Sequence, residues 1–186
     1  MLWKIKTDER IVYLTFDDGP HPTVTPWVLD ELKKYNFKAT FFCVGNNVRL
    51  HRSIYEKVIA EGHRTGNHTY DHIKGWKTVD HLYYDNIEQC AQLVDSNLFR
   101  PPYGQVTLAQ VNELKKNYLI IMWSLLSGDF DKKLNVNKAL ELMKKHTKPG
   151  SIIVFHDSEK AKSNLMKILP QYLQFLKEQG YSCQTL

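Results

Sequence analysis

Short apolar runs alternate with amphipathic stretches along almost the whole chain. The runs Ile11–Phe16, Lys38–Val44, Arg64–His68, Leu98–Pro101, Tyr118–Leu126, Ser151–His156 and Tyr181–Leu186 have strand length. Most lack a polar alternate position, so they predict strands covered on both faces. Between them, apolar positions recur at helical spacing over Pro26–Asn36, Ser53–Glu61, Val79–Val94, Thr107–Asn117, Asn135–Thr147 and Asn164–Gln179. Pro170 is expected to kink or restart the last of these, because it has no N–H to donate. Strands alternating with helices predict an α/β fold around a parallel sheet, open or closed into a barrel. No repeat, linker or low-complexity stretch interrupts the pattern, and 186 residues suit one domain spanning residues 1–186.

Chemistry-bearing residues fall where these strands end. TFDDGP, Thr15 to Pro20, sets the carboxylates Asp17 and Asp18 at the mouth of the first strand, before a Gly-Pro turn. Adjacent like charges are costly unless a metal, an arginine or a shared proton compensates them. An acidic cap for the helix near Pro26 is the plainer reading of the pair alone. In HTYDH, His68 and His72 are four apart, which on a helical turn points both imidazoles to one side. Chance alone supplies roughly 0.3 such pairs in a chain of this histidine content, so the spacing needs company. Arg100 in FRPPYG ends the fourth strand and His156 in IIVFH the sixth. Residues at the C-terminal ends of parallel strands converge on one face, so all these groups are expected to meet there. Two histidines and a carboxylate, with positions left for water and substrate, describe a catalytic rather than a structural metal site.

Composition narrows the class. No apolar run approaches the roughly 20 residues that span a bilayer. MLWKIKTDER lacks the apolar core of a signal peptide. The chain as it stands therefore reads as cytoplasmic, or as a cell-envelope or secreted domain whose export or anchor segment lies elsewhere. Cys43, Cys90 and Cys183 are odd in number and form no CxxC, which predicts buried apolar fillers. The net charge of +5 comes from lysines paired on helix faces (Lys33-Lys34, Lys115-Lys116, Lys144-Lys145), not from a stripe interleaved with aromatics. No nucleic-acid partner is expected. An anionic wall polymer is compatible with this charge but not required by it.

TFDDGP, HTYDH, FRPPYG and IIVFH, in this order and at these separations, resemble the polysaccharide deacetylases, the family 4 carbohydrate esterases, from about residue 10 to the C-terminus. The resemblance implies a distorted (β/α) barrel with about seven parallel strands in a single domain. It implies a divalent metal, Zn²⁺ first and Co²⁺, Ni²⁺ or Mn²⁺ next, held by Asp18, His68 and His72. Asp17 is then the general base, oriented by Arg100, and His156 the acid for the departing amine. A backbone N–H near Tyr103 is expected at the oxyanion, since Pro101 and Pro102 have none. The implied partner is an N-acetylated glycan, peptidoglycan-like or chitin-like, met by a monomer. An O-acetyl esterase on xylan-type glycans and a non-catalytic, metal-retaining glycan binder are the alternatives. Trp27, Trp76 and Trp123 are candidates for a sugar groove, with Trp123 the more core-like by its neighbours.

One departure from the family pattern stands out. The fourth motif usually carries an Asp four residues before a Trp, and that acid partners the histidine. In WSLLSGDF, Leu126 and Phe130 take those places. His156 is thus expected to lack its carboxylate and to have a lowered pKa, unless Asp129 or Asp131 substitutes from the same loop.

Overall fold

The first strand shows how the barrel is built. In the computed structural model, which describes all 186 residues, β1 (Ile11–Asp17) sends Val12, Leu14 and Phe16 outward into the main hydrophobic cluster. The alternate residues Tyr13, Thr15 and Asp17 face the interior, as the period of two requires. The same division recurs in β7 (Ile152–His156), where Ile153 and Phe155 join the outer cluster while Ile152, Val154 and His156 turn inward. The remaining strands are β2 (Ala39–Cys43), β3 (Arg64–Asn67), β4 (Leu98–Phe99), β5 (Leu119–Ile120), β6 (Leu125–Leu126) and β8 (Ser182–Cys183). All pairings are parallel, in the order β5-β4-β3-β2-β1-β7-β6, with β8 against the start of β1.

Helices coat the outside: α1 (Val24–Lys34), α2 (Gly45–Leu50), α3 (Arg52–Ala60), α4 (Asp80–Ala91), α5 (Leu108–Leu114), α6 (Val136–His146) and α7 (Lys162–Glu178). The expected distorted (β/α) barrel is therefore what the chain forms, as a single domain. The interior is narrow. A Cβ on Gly66 would lie 2.6 Å from the Phe42 ring, so only glycine lets that ring fill the barrel. Cys43, Cys90 and Cys183 are buried free thiols. No helix is long and apolar enough to cross a membrane.

The ring has a seam. The run Tyr118–Leu126, expected as one strand, is two: β5 pairs with β4 at one end of the sheet and β6 with β7 at the other. The chain crosses between them at Met122 and Trp123, where Ile121 N–H still reaches Phe99 and Ser124 N–H reaches Ile152. The N-terminal segment lies against this seam, with Leu2 bridged to Ile121 and Lys4 to Ser151. It supplies backbone partners at the gap in the ring between β5 and β6.

Two local expectations change. Gly45–Leu50 forms a helix that the apolar pattern did not mark. The last helix runs unbroken through Pro170, because Leu165, Ile168, Leu169, Tyr172, Leu173 and Leu176 bury its inner face and outweigh one lost hydrogen bond.

Candidate active site and metal centre

Asp17 and Asp18 diverge at once. Asp17 keeps the inward pleat of β1, while Asp18 leaves the strand with φ +81°. This left-handed residue costs on the order of 1 kcal/mol or more, so neighbours must hold it. Asn47 Nδ2 donates to the Asp18 carbonyl at 2.7 Å, and Gly19 N–H donates to Asp157 Oδ1 at 3.1 Å. A Cβ at Gly19 would fall 2.1 Å from Asp157 Oδ2. Asp157 is fully buried and accepts from Thr25 Oγ1 at 2.5 Å. Burial pushes its carboxyl up to about 8, overcoming the hydrogen bonds that favour the charged form.

The divergence carries Asp18 to the two histidines of HTYDH. Asp18 Oδ1 lies 3.0 Å from His72 Nε2 and 3.8 Å from His68 Nε2. The histidines do not share a helical turn, contrary to the expectation from their spacing. Thr69 and His72 have φ +62° and +57°. Asn67 Oδ1 accepts from Thr69 N–H, and Asn86 Oδ1 accepts from Tyr70 and Asp71 N–H. These side chains take the amides that a helix would have paired, and the compact turn still brings the rings within 5.0 Å. Asp71 itself is exposed and accepts from Asn86.

The three side chains suit a divalent cation. Their donor atoms lie within 4.8 Å of one another, so a small inward shift brings all three to the separations of about 3–4 Å that bonds of about 2.0–2.2 Å to one ion set. His68 Nδ1 is 2.7 Å from the Arg100 carbonyl. A carbonyl only accepts, so Nδ1 carries the proton and the Nε2 lone pair faces Asp18. Burial pushes the His68 imidazole down to about 4 despite the pull of Asp17 and Asp18, which keeps that lone pair available. Burial alone would raise the Asp18 carboxyl. The hydrogen bond from His72 and the charges of His156, His68 and His72 outweigh it and hold Asp18 well below the usual range.

Beside this triangle, Arg100 spans the barrel interior fully buried. Its Nη1 donates to Asp17 Oδ1 and Thr15 Oγ1, each at 2.7 Å. Its Nε and Nη2 donate to the Ile121 and Met122 carbonyls at the seam. Phe42 underlies the guanidinium at 4.1 Å. One arginine thus orients Asp17 and closes the ring. Burial lowers its pKa while the charge and hydrogen bond of Asp17 raise it, and a guanidinium stays protonated throughout.

Register places His156 next to Asp17, since the two are Cα partners across β1 and β7. The expectation that His156 lacks a carboxylate fails. Asp129, wholly buried, accepts from His156 Nδ1 at 2.7 Å with Oδ1 and from the His156 backbone N–H at 2.8 Å with Oδ2. Asn164 at the start of α7 donates to the Asp129 and Asp131 carbonyls and fixes the loop. Burial alone would lower the imidazole pKa. The hydrogen bond and charge of Asp129, joined by Asp17 and Asp18, instead raise it to about 9. Leu126 stays on β6, level with Val154, as an apolar wall. An acid three residues further on, past the left-handed Gly128, does what position 126 was expected to do.

Asp17, Asp18, His68, His72 and His156 open on one cavity of about 450 Å³, whose apolar side is formed by Trp123, Leu126, Phe130 and Val154, while Arg100 and Asp129 lie buried behind it. Tyr103, with φ +59°, stands 4.8 Å ring to ring from His72. The turn's hydrogen bonds come from Gly104 and Gln105 N–H, so the Tyr103 N–H is not used by it. Trp123 lines the cavity as well as the core, while Trp27 packs against the outer cluster. Trp76 is exposed and donates to the Val106 carbonyl. Phe130, which stands at the motif's Trp position, lines the cavity from the loop after β6, and Lys160, which had no marker in the sequence, enters through the turn after β7.

The chain matches the family model described as polysaccharide deacetylase over residues 4–119. It is 33% identical to a peptidoglycan-N-acetylglucosamine deacetylase of Bacillus cereus, over 99% of this chain and 90% of that protein. It is 35% identical to the peptidoglycan-N-acetylglucosamine deacetylase PgdA of Listeria monocytogenes over 98% of this chain, and spans 39% of that longer protein. Among solved structures, the Bc1960 peptidoglycan N-acetylglucosamine deacetylase in complex with 4-naphthalen-1-yl-N-oxidanyl-benzamide superposes with a TM-score of 0.91. That alignment has 31% identity and covers 100% of this chain and 90% of the other.

Proposed function

The chain belongs to the polysaccharide deacetylase family, and from that premise we propose that it is a metal-dependent hydrolase that removes N-acetyl groups from N-acetylglucosamine units of a peptidoglycan-like or chitin-like glycan. Asp18, His68 and His72 hold the ion, with zinc the metal best suited to one carboxylate and two imidazoles. When bound, it polarises a water and the acetyl carbonyl. Asp17 is the general base. Its Oδ1 is engaged by Arg100, which leaves Oδ2 to take the water's proton. The Tyr103 N–H donates to the oxyanion as the carbonyl carbon becomes tetrahedral. His156, protonated by virtue of Asp129, delivers a proton from Nε2 to the amine as the C–N bond breaks.

The observation that carries this reading is the pairing of a carboxylate and an imidazole on one cavity wall. Asp17, held by Arg100 at 2.7 Å, stands in strand register with His156, which Asp129 backs at 2.7 Å and whose pKa is raised to about 9. An amine cannot leave without a proton, whereas an alkoxide needs little help, so a strongly supported acid favours amide over ester hydrolysis. The test is acetate release from chitooligosaccharides, peptidoglycan and acetylated xylan, with and without added Zn²⁺, Co²⁺, Ni²⁺ or Mn²⁺. Metal-dependent release from the N-acetyl substrates is expected. His68→Ala and His72→Ala should each lose both the ion, about one per chain, and the activity. Release from xylan alone, or none from the metal-loaded enzyme, would overturn the reading.

A further inference from the structure

Two lysines lie over aromatic rings that line the cavity, and each ring packs on a site histidine. Lys74 Nζ lies 4.3 Å from the Tyr103 ring centre, and Tyr103 packs on His72. Lys160, which lines the cavity, lies 5.3 Å over Phe130, and Phe130 packs edge-on against His156. The ring faces attract and orient these ammonium groups without neutralising them. Neither lysine has a carboxylate within ion-pairing distance. Glu159, beside Lys160 in the chain, is engaged by Lys162 at 3.5 Å and by His21 at 3.6 Å. The rim acid Asp71 accepts from Asn86. Two uncompensated cations therefore flank the entrance, one on the His72 side and one on the His156 side. A low-dielectric cleft focuses such charge on whatever enters it.

We propose that Lys74 and Lys160 form a cationic rim that selects N-acetylated glycans bearing a carboxylate close to the acetamido group to be hydrolysed. This rests on the deacetylase reading and narrows its substrate class. A neutral chitin-like oligosaccharide leaves both cations without a partner. A glycan with a free carboxylate on the neighbouring sugar, either an ether-linked lactate whose carboxyl is not joined to a peptide or a uronic acid, pairs with them. The contact is exposed, so it is screened by salt within about 8 Å at physiological ionic strength.

The experiment measures kcat/KM for acetate release at low salt from size-matched tetrasaccharides. The first alternates N-acetylglucosamine with N-acetylmuramate, and the second is the same molecule with each lactyl carboxylate converted to its amide. A hyaluronan tetrasaccharide presents the carboxylate on a uronic acid instead. The wild-type protein should prefer the acid over its amide, and 0.5 M NaCl should erase the preference. In Lys74→Met/Lys160→Met, where the apolar stems still cover the rings, the acid-to-amide ratio should fall about 2- to 30-fold, the size of two exposed charge contacts. Preference for hyaluronan over the muramate substrate would assign the rim to uronic acids. An acid-to-amide ratio near one in the wild type, or a ratio unchanged in the double variant, would overturn the rim proposal and leave the deacetylase reading intact. No acetate from these substrates while chitooligosaccharides are deacetylated would overturn the rim proposal alone, and none from either set would overturn both.

Discussion

Replacing Asp129 with Asn removes the charge that keeps His156 protonated. Asp129 offers two acceptors to two donors of the same residue, Nδ1–H at 2.7 Å and the backbone N–H at 2.8 Å. An Asn carboxamide can accept from only one of them and sets an N–H₂ against the other. With the carboxylate gone, burial is opposed only by the charges of Asp17 and Asp18, and the imidazole should fall from about 9 to near its ordinary value of about 6.5. At pH 8 the protonated fraction then drops from about 0.9 to about 0.03, a loss of roughly 30-fold in kcat/KM, whereas at pH 6 the two proteins differ by less than about 2-fold.

The assay is kcat/KM against pH for wild type, Asp129→Asn, Asp131→Asn and Leu126→Asp. It should be paired with an NMR titration of the His156 ring. Only Asp129→Asn should move the alkaline limb. Asp131 accepts from the Lys133 N–H in a turn, and a carboxylate at position 126 would sit on the cavity wall opposite Val154. Stability should follow the same linkage. A histidine whose folded pKa is raised contributes stability that is complete below about pH 6.5 and lost as pH rises through about 9. The melting temperatures of wild type and Asp129→Asn should therefore differ most near pH 6 and converge towards pH 10. An alkaline limb unmoved in Asp129→Asn, or a deficit of equal size at pH 6 and pH 8, would refute this account of the acid.

Asp17→Asn should keep its metal and lose about 10²–10⁴-fold in kcat, while Asp18→Asn should weaken metal binding itself; equilibrium dialysis against zinc beside single-turnover rates would expose a reversal of the two roles. Arg100→Met strips the buried Asp17 of its partner and the seam carbonyls of their donors, and should cost about 3–5 kcal/mol in urea denaturation, with a loss below about 1 kcal/mol counting against it. Asp157 has a folded pKa raised to about 8 against about 4 unfolded, so its contribution is greatest below pH 4 and declines as pH rises to 8. Asp157→Asn keeps an acceptor for Gly19 N–H, offers Thr25 Oγ1 an N–H in place of an acceptor, and cannot ionise, so it should gain stability relative to wild type as pH rises across that window; parallel melting curves from pH 4 to 8 would contradict it.

The strands that carry the site were legible because burial on both faces leaves a local signature. Ile11–Phe16 and Ser151–His156 are apolar throughout, and a period of two then fixes that Asp17 and His156 share the inner face. The convergence of Asp18, His68 and His72, the proposed metal ligands, was legible for a similar reason: they come from two short motifs, each complete within a few residues. What the sequence could not supply was pairing between segments far apart in the chain. Tyr118–Leu126 reads as one strand, since nothing local records that Met122 N–H binds Leu2 while Ser124 N–H binds Ile152. The turn that unites His68 and His72 depends on Asn86 from α4 to take its amides, so a helical turn was the natural but mistaken expectation. The acid behind His156 was misplaced at position 126 because a motif counts residues along the chain. Whether a carboxylate reaches Nδ1 is decided by the loop's path past Gly128 and its anchoring by Asn164. Backbone hydrogen-bonding needs and side-chain periodicity are local and can be read from a sequence. Which distant group satisfies them is decided only when the barrel closes.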